Sequence, residues 1–139
     1  MNRKKIKFEN PPIIIGDNAM ELHKLQPANS ENIDLIFLLV SSIDYTNLLN
    51  LYSNTEEKKA WYSRIHDEKG IYYYLNWYMF TYDKLILSSV KIRNKLVVDK
   101  QNLLIMTLLP AFDQKNKNPR NIIKKFLQDT STIANSYII

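Results

Sequence analysis

Runs of apolar residues alternate with polar stretches along most of the chain, and their spacing predicts both strands and helices. A short run, Ile13–Ile15, follows two prolines that keep the chain extended, and it ends at Gly16. A second run, Ile33–Val40, is almost continuously apolar, which is typical of a strand covered on both faces. The stretch Ile71–Tyr82 is dense in β-forming aromatic residues and predicts a core strand with aromatic side chains on both faces.

Helical spacing and capping residues mark the segments between these runs. Asn18, with Glu21 three residues later, forms a capping-box pattern for the first helix. The predicted helices are Ala19–Leu25, a helix from the turn at Ser41 to Tyr52, a helix that Asp99 caps and Pro110 ends or bends, and an amphipathic helix that opens at Pro119.

The remaining stretches have weaker patterns. Residues 53–69 are polar and charged, which predicts a loop or a partly ordered strand. Alternation over Ser89–Val98 predicts a short hairpin around Asn94-Lys95 or an edge strand. Together these elements predict an α/β or α+β domain, in which a small mixed sheet is flanked by helices. We assign this domain to residues 12–129, with a basic arm over residues 1–11 and a tail over residues 130–139.

Composition narrows the classes of protein. The chain has 139 residues, of which 45% are apolar and 24% charged, the balance of a globular domain. It has no cysteine, which excludes disulfides and thiolate metal sites, and a net charge of +5. No apolar run approaches the length of about 20 residues that a membrane span needs, so we expect a cytoplasmic protein without a membrane partner. Only two glycines occur, which predicts few left-handed turns and a crowded position for Gly16.

The order of motifs resembles a minimal nucleotidyltransferase domain of the polymerase-β-like superfamily, including its toxin-like relatives. In that superfamily a Gly-Gly or Gly-Ser turn opens a helix, the next strand carries Asp-x-Asp, and a later strand carries a third acid. Here the turn is Gly16-Asp17, the helix is NAMELHKL and the strand is ENIDLI. Downstream, KLVVDKQNLLIMTLLPAF and NPRNIIKKFL resemble the closing passage of small members, so that the similarity runs from Ile13 to Leu127.

The resemblance implies a chemistry and a set of site residues. Nucleotidyl transfer moves a phosphoryl unit in line while two Mg²⁺ ions, held by carboxylates, clamp the oxygens that gain charge. For an active protein the cofactors would be Mg²⁺ and a nucleoside triphosphate. The residues at matching positions are Asp34 as catalytic residue and metal ligand, Asn32 and Asn76 as further catalytic positions, and Gly16, Asp17 and Asn18 as the nucleotide-binding turn.

Several charged positions of the motif are neutral or reversed in this chain. Asn32 replaces the first acid of the pair, and an amide cannot supply the charge that holds a divalent ion. The third-acid strand, Tyr72–Phe80, contains no carboxylate. Asp17 places a negative charge beside the expected triphosphate, and Thr107 stands where the closing helix often has lysine. The pattern therefore predicts a nucleotidyltransferase-like domain that has lost catalysis and acts as a binding or regulatory protein.

Two alternatives stay open. The chain is an active Mg²⁺-dependent transferase if Asp34 is joined by Asp17, Glu21 or Glu31, and its acceptor is then a protein, an RNA or a small molecule. It is a nucleic-acid-binding module if the basic arm and the lysines and arginine of residues 115–125 contact phosphates. Expected partners are a nucleotide, another protein or a second copy of the chain. His23 is predicted to be a surface or edge residue rather than a metal ligand, because no second ligand lies one helical turn away.

Overall fold

The computed structural model describes residues 7–25 and 36–112, with side chains up to Pro110, and these residues form an α+β domain. Within these residues a mixed sheet of eight strands carries four α-helices, which confirms the predicted fold class of a mixed sheet flanked by helices. The strands are β1 (Ile13–Ile15), β2 (Ile36–Leu39), β3 (Glu57–Lys59), β4 (Tyr62–His66), β5 (Ile71–Trp77), β6 (Phe80–Thr81), β7 (Val90–Ile92) and β8 (Lys95–Val97). The helices are α1 (Gly16–Leu22), α2 (Ser42–Tyr52), α3 (Tyr82–Leu85) and α4 (Lys100–Leu108), with single turns of 3-10 helix at Ser53–Thr55 and Leu109–Phe112.

The strands run in the order β3-β4-β5-β2-β1-β8-β7, and β6 pairs with β5. Two pairs are parallel, β2 with β5 and β1 with β8, and the other pairs are antiparallel. Since β1 and β2 are central neighbours, the turn that ends β1 lies beside the start of β2. The strand β5 is the neighbour of β2 on its other side, so residues from all three central strands meet at this end of the strands.

Helices cover both faces of the sheet. On one face Met20 of α1 and Leu103 of α4 pack with the central strands and with Tyr74. On the other face Leu48 of α2 packs with Ile65, Tyr73 and neighbouring side chains. Tyr73 and Tyr74 are adjacent on β5 and therefore point to opposite faces, which confirms the prediction of a core strand with aromatic residues on both sides.

Local signals located several elements well. The strand Ile13–Ile15, the hairpin of β7 and β8, and the helix α4 with its Asp99 cap are confirmed. Asp99 accepts a hydrogen bond from the Asn102 backbone N–H at 3.2 Å, as a capping residue does. Of the predicted strand Ile33–Val40, residues 36–39 form β2, and its first three residues lie outside the described ranges. The helix predicted from Pro119 also lies outside them.

The structure decides one open prediction of the sequence and corrects two others. For residues 53–69, predicted as a loop or a partly ordered strand, the structure has the antiparallel strands β3 and β4, because Tyr62 and Ile65 are buried by pairing with β5. The stretch Ile71–Tyr82 is two strands and the start of α3, since the chain turns at Tyr78, whose φ is 53°. Two glycines do not limit left-handed turns, because four other described residues have positive φ: Lys24, Tyr78, Arg93 and Asn94.

The two outer strands of the sheet are short and charged. Each has three residues, β3 at one side and β7 at the other. Lys58 and Lys59 are exposed on β3, and Lys91 is exposed on β7. Within residues 7–25 and 36–112 no helix has the length and apolarity needed to cross a lipid bilayer.

Candidate functional site

Gly16 joins β1 to α1 at a point where the backbone passes close to β2. Its φ is +69°, a left-handed conformation that L-residues with a side chain rarely adopt. A Cβ at this position would lie 3.1 Å from Cδ2 of Phe37, the residue whose neighbour in the register is Ile15. The prediction that Gly16 occupies a crowded position is therefore confirmed, and the crowding comes from the Phe37 ring.

Asn18 does not cap α1, which corrects the capping-box prediction. The helix begins at Gly16, and its N-cap residue is Ile15, whose side chain makes no capping hydrogen bond. The Asn18 side chain points to the sheet instead, where Oδ1 accepts a hydrogen bond from the Phe37 backbone N–H at 3.3 Å. Asn18 thus fastens α1 to the start of β2, and it supports the site without lining it.

A cavity of about 290 Å³ opens between the Gly16 turn, β2, β5 and α4. Strands β2 and β5 supply the aromatic wall (Phe37, Tyr74 and Trp77), and α4 with the turn after it supplies the aliphatic wall (Leu103, Met106 and Pro110). Among the described lining residues, Asp17 and Thr107 add polar side chains. The lining residues are Ile15, Gly16, Asp17, Phe37, Tyr74, Trp77, Leu103, Met106, Thr107 and Pro110. Sequence motifs pointed to Gly16 and Asp17, and the structure brings both to this cavity.

The aromatic wall is held in place by ring contacts and one hydrogen bond. The ring of Tyr74 lies edge-to-face against Phe37 and against Trp77, with both centroid distances at 5.8 Å. The Trp77 indole Nε1–H donates to the Met106 backbone carbonyl at 3.1 Å, which ties the wall to α4. Sequence reasoning missed Phe37 and Trp77 as site residues, because only the strand register shows that they face the same cavity.

A charged network stands behind the aromatic wall. Arg64 of β4 donates to the Tyr74 hydroxyl at 2.7 Å and, through Nη2, to Glu57 of β3 at 3.0 Å. Its guanidinium also lies over the Tyr72 ring, 4.7 Å from the centroid, and Tyr62 donates its hydroxyl hydrogen to Glu57. The hydrogen bond from Tyr62 lowers the pKa of Glu57, and Arg64 lowers it further. Burial raises the pKa of Tyr74, which keeps its hydroxyl neutral.

The predicted catalytic residues are only in part within the described ranges. Asn32 and Asp34 lie outside them, as does Glu31. Asn76 is described on β5, where its Oδ1 accepts from the Ser63 N–H at 3.1 Å and its Nδ2 donates to the Tyr78 carbonyl at 3.0 Å. These hydrogen bonds use both polar atoms of the Asn76 amide, at the place where the register between β4 and β5 shifts. Asn76 is not among the described residues that line the cavity.

Thr107, which the sequence comparison matched to a lysine of the closing helix, lines the cavity. Its hydroxyl donates to the Leu103 carbonyl one turn earlier on α4, at 2.8 Å. His23 is half-buried, and its Nε2 lies 2.7 Å from the Val98 carbonyl oxygen, so it joins the end of α1 to the loop before α4. His23 therefore lies at an edge, as predicted, and its ring contacts a backbone carbonyl.

Two buried acids elsewhere are satisfied by local donors. Asp44, 1% exposed, accepts the backbone N–H groups of Glu9 and Asn10 at 2.8 and 3.0 Å, and also the Ser41 hydroxyl. Asp67 accepts two backbone N–H groups in the β4–β5 loop and the Tyr73 hydroxyl. Both carboxylates therefore hold loops to the sheet, and neither faces the cavity lining.

Within the part of the chain that the structure describes, no three histidine, aspartate or glutamate side chains gather into a group that could hold a metal ion. Comparisons with protein-family models, curated proteins and solved structures return no match for this chain. The candidate site is therefore defined by geometry alone: an aromatic cavity with a tight glycine turn at one end and, among its described lining residues, one carboxylate.

Proposed function

We propose that the chain is a nucleotidyltransferase-like domain that has lost catalysis and acts as a binding protein through the cavity beside Gly16. The placement of the motif residues supports this proposal. The Gly16 turn lies against Phe37 near the start of β2, and Thr107 of the closing helix faces the same space. In the superfamily that the sequence resembles, the turn, the acidic strand and the closing helix surround the nucleotide.

The observation that carries the loss of catalysis is the side-chain content of β5 beside β2. Tyr72 is the register partner of Phe37, and their ring centroids are 5.6 Å apart. Tyr72 and Tyr74 point to the same face of β5, the strand on which the resemblance places the third acid. Two aromatic rings there cannot supply oxygen ligands with negative charge, which hard divalent cations need.

The network around Arg64 strengthens the argument. The Arg64 guanidinium lies 4.7 Å from the Tyr72 ring centroid and is paired with Glu57 at 3.0 Å, so this pair leaves no negative charge over for a metal ion. The carboxylate of Glu57 does not replace the missing acid, because both of its oxygens already accept hydrogen bonds from Tyr62 and Arg64. Electrostatic stabilisation dominates phosphoryl transfer, so its loss removes most of the rate.

The test is calorimetric titration of the full chain with ATP, with and without Mg²⁺, together with a transfer assay using α-labelled nucleoside triphosphates and protein or RNA acceptors. We expect no heat of nucleotide binding that depends on Mg²⁺ and no transfer of label. The variant Asp34→Asn should behave as the unmodified chain does. Mg²⁺-dependent ATP binding or label transfer that disappears in Asp34→Asn would instead identify an active transferase.

A further inference from the structure

We infer that the cavity beside Gly16 binds a flat, two-ring aromatic amine, with the rings between the aromatic and aliphatic walls and the ammonium group at Asp17. The inference rests on the proposed function only in taking this cavity as the binding site of the domain. It assigns the class of ligand from three properties of the cavity: its size, its walls and its charge.

The size of the cavity sets the number of rings. An apolar protein cavity of about 150 Å³ takes up one benzene molecule. The cavity here, at about 290 Å³, is roughly twice that volume and fits two fused rings.

The walls favour a flat apolar body. The strands β2 and β5 supply Phe37, Tyr74 and Trp77, and Leu103, Met106 and Pro110 from α4 and the turn after it complete the apolar lining. A ring system between them leaves water and gains dispersion contacts on both faces. The Trp77 N–H is already bonded to a carbonyl of α4, and the Thr107 hydroxyl donates to another, so these groups do not offer their hydrogens to a phosphate.

The charge of the lining selects the polar end of the ligand. Asp17 is the one charged side chain among the ten described lining residues, none of which is lysine, arginine or histidine. A carboxylate and aromatic ring faces both attract a cation and repel an anion. Arg64 contacts Tyr74 from behind the wall, but its charge is paired with Glu57 at 3.0 Å and does not reverse the sign.

Calorimetric titration of the full chain with tryptamine, tryptophol and indole-3-propionate tests this ligand class. The three probes share the indole ring, and their end groups are positive, neutral and negative. We expect tryptamine to bind about tenfold more tightly than tryptophol, and indole-3-propionate to bind more weakly than both. In Asp17→Asn the affinity for tryptamine should fall to that for tryptophol.

The matched control is Glu21→Gln, which removes an exposed carboxylate from the same helix outside the cavity lining. It should leave the preference for tryptamine unchanged, and circular dichroism checks that both variants fold. Equal binding of the amine and the acid by the unmodified chain, a preference that survives Asp17→Asn, or no binding of any probe would each overturn the inference. The probe series on the unmodified chain can overturn the inference by itself, even if one of the variants does not fold.

The outcome separates this inference from the proposed function. If none of the indole probes binds and the chain also shows no Mg²⁺-dependent ATP binding, only the proposed ligand class is overturned. Mg²⁺-dependent ATP binding that requires Asp34 overturns the proposed loss of catalysis, whichever indole probe binds.

Discussion

Gly16 combines two constraints that no other residue type satisfies together. Its φ of +69° places the backbone in the left-handed region, where a side chain costs about 1–2 kcal/mol. Its missing Cβ leaves room for the Phe37 ring, which would be only 3.1 Å away. The turn therefore depends on a glycine for conformation and for packing, and the cavity depends on the turn.

The variant Gly16→Ala should lower the free energy of unfolding by about 1–3 kcal/mol, because strain in φ and the contact with Phe37 add. Urea denaturation measures this change. Gly70→Ala is the comparison: Gly70 has a φ of 90°, so the change in its free energy of unfolding measures the cost of a side chain at positive φ.

The contact with Phe37 is tested by a double-mutant cycle. Phe37→Leu removes the ring, and in that background Gly16→Ala should cost less than it does in the unmodified chain. A cost that is the same in both backgrounds would mean that strain in φ alone accounts for the glycine.

At the level of elements, β3, β4 and β5 are joined by a network that crosses all three strands. Glu57 of β3 accepts hydrogen bonds from Tyr62 and Arg64 of β4, and Arg64 in turn reaches Tyr74 of β5. Since Tyr74 belongs to the cavity wall, the outer strands position that wall through this network. The short strand β3 thus contributes to the site without lining it.

The pKa of Glu57 is lowered in the folded chain by the hydrogen bond from Tyr62 and by Arg64, which makes the stability depend on pH. A lowered pKa adds stability above the unfolded value of about 4.3, and this stability is lost as the pH falls through the folded value. Glu57→Gln should therefore reduce the free energy of unfolding by about 1 kcal/mol at pH 7, with the difference shrinking below pH 4.

Urea denaturation over the range from pH 3 to pH 7 would follow this difference. Glu68→Gln, at an exposed residue, is the control and should show no such trend. A difference between the unmodified chain and Glu57→Gln that stays constant with pH would contradict the role of the ionised carboxylate.

On the scale of the whole molecule, tyrosines contribute to the core on both faces of the sheet. The chain has nine tyrosines. Burial raises the pKa of six that the structure describes: Tyr45, Tyr52, Tyr62, Tyr73, Tyr74 and Tyr82. They belong to both core clusters or pack against them, so the neutral hydroxyl form is a condition of the folded state.

Alkaline titration should therefore be coupled to unfolding. A raised pKa supports the fold below the unfolded value of about 10, and this support is lost as the pH rises through the folded values. Absorbance at 295 nm should show tyrosinate formation that lags behind that of the chain in urea and is completed with loss of circular dichroism. Superimposable titration curves for the native and the urea-denatured chain would contradict this prediction.

The sequence predicts those parts of this fold that depend on local signals. The Asp99 cap, the β7–β8 hairpin and the Gly16 turn are each specified by neighbouring residues, and the structure has all three. The sequence could not choose between strand and loop for β3 and β4, because residues 53–69 are mostly polar and Ile65 is buried only by pairing with Tyr73. Asn18 was misassigned for a related reason, since its partner is the distant backbone of Phe37.

The residues of the candidate site likewise divide into those that local signals predict and those that depend on strand pairing. Gly16 and Asp17 are found by a local motif, whereas the aromatic wall follows from strand register. Phe37 and Tyr74 are 37 positions apart in sequence, and they meet because β2 and β5 are parallel neighbours. Periodicity along one segment carries no information on such a pairing, so the character of the cavity could not be read from the chain.

The short, lysine-bearing outer strands have a consequence for how this protein behaves at high concentration. A strand that offers only three residues of backbone, flanked by positive charge, is a poor template for the growth of fibres. The strand β5, rich in tyrosine and other β-forming residues, is enclosed between β4 and β2 and cannot recruit another molecule while the sheet is intact.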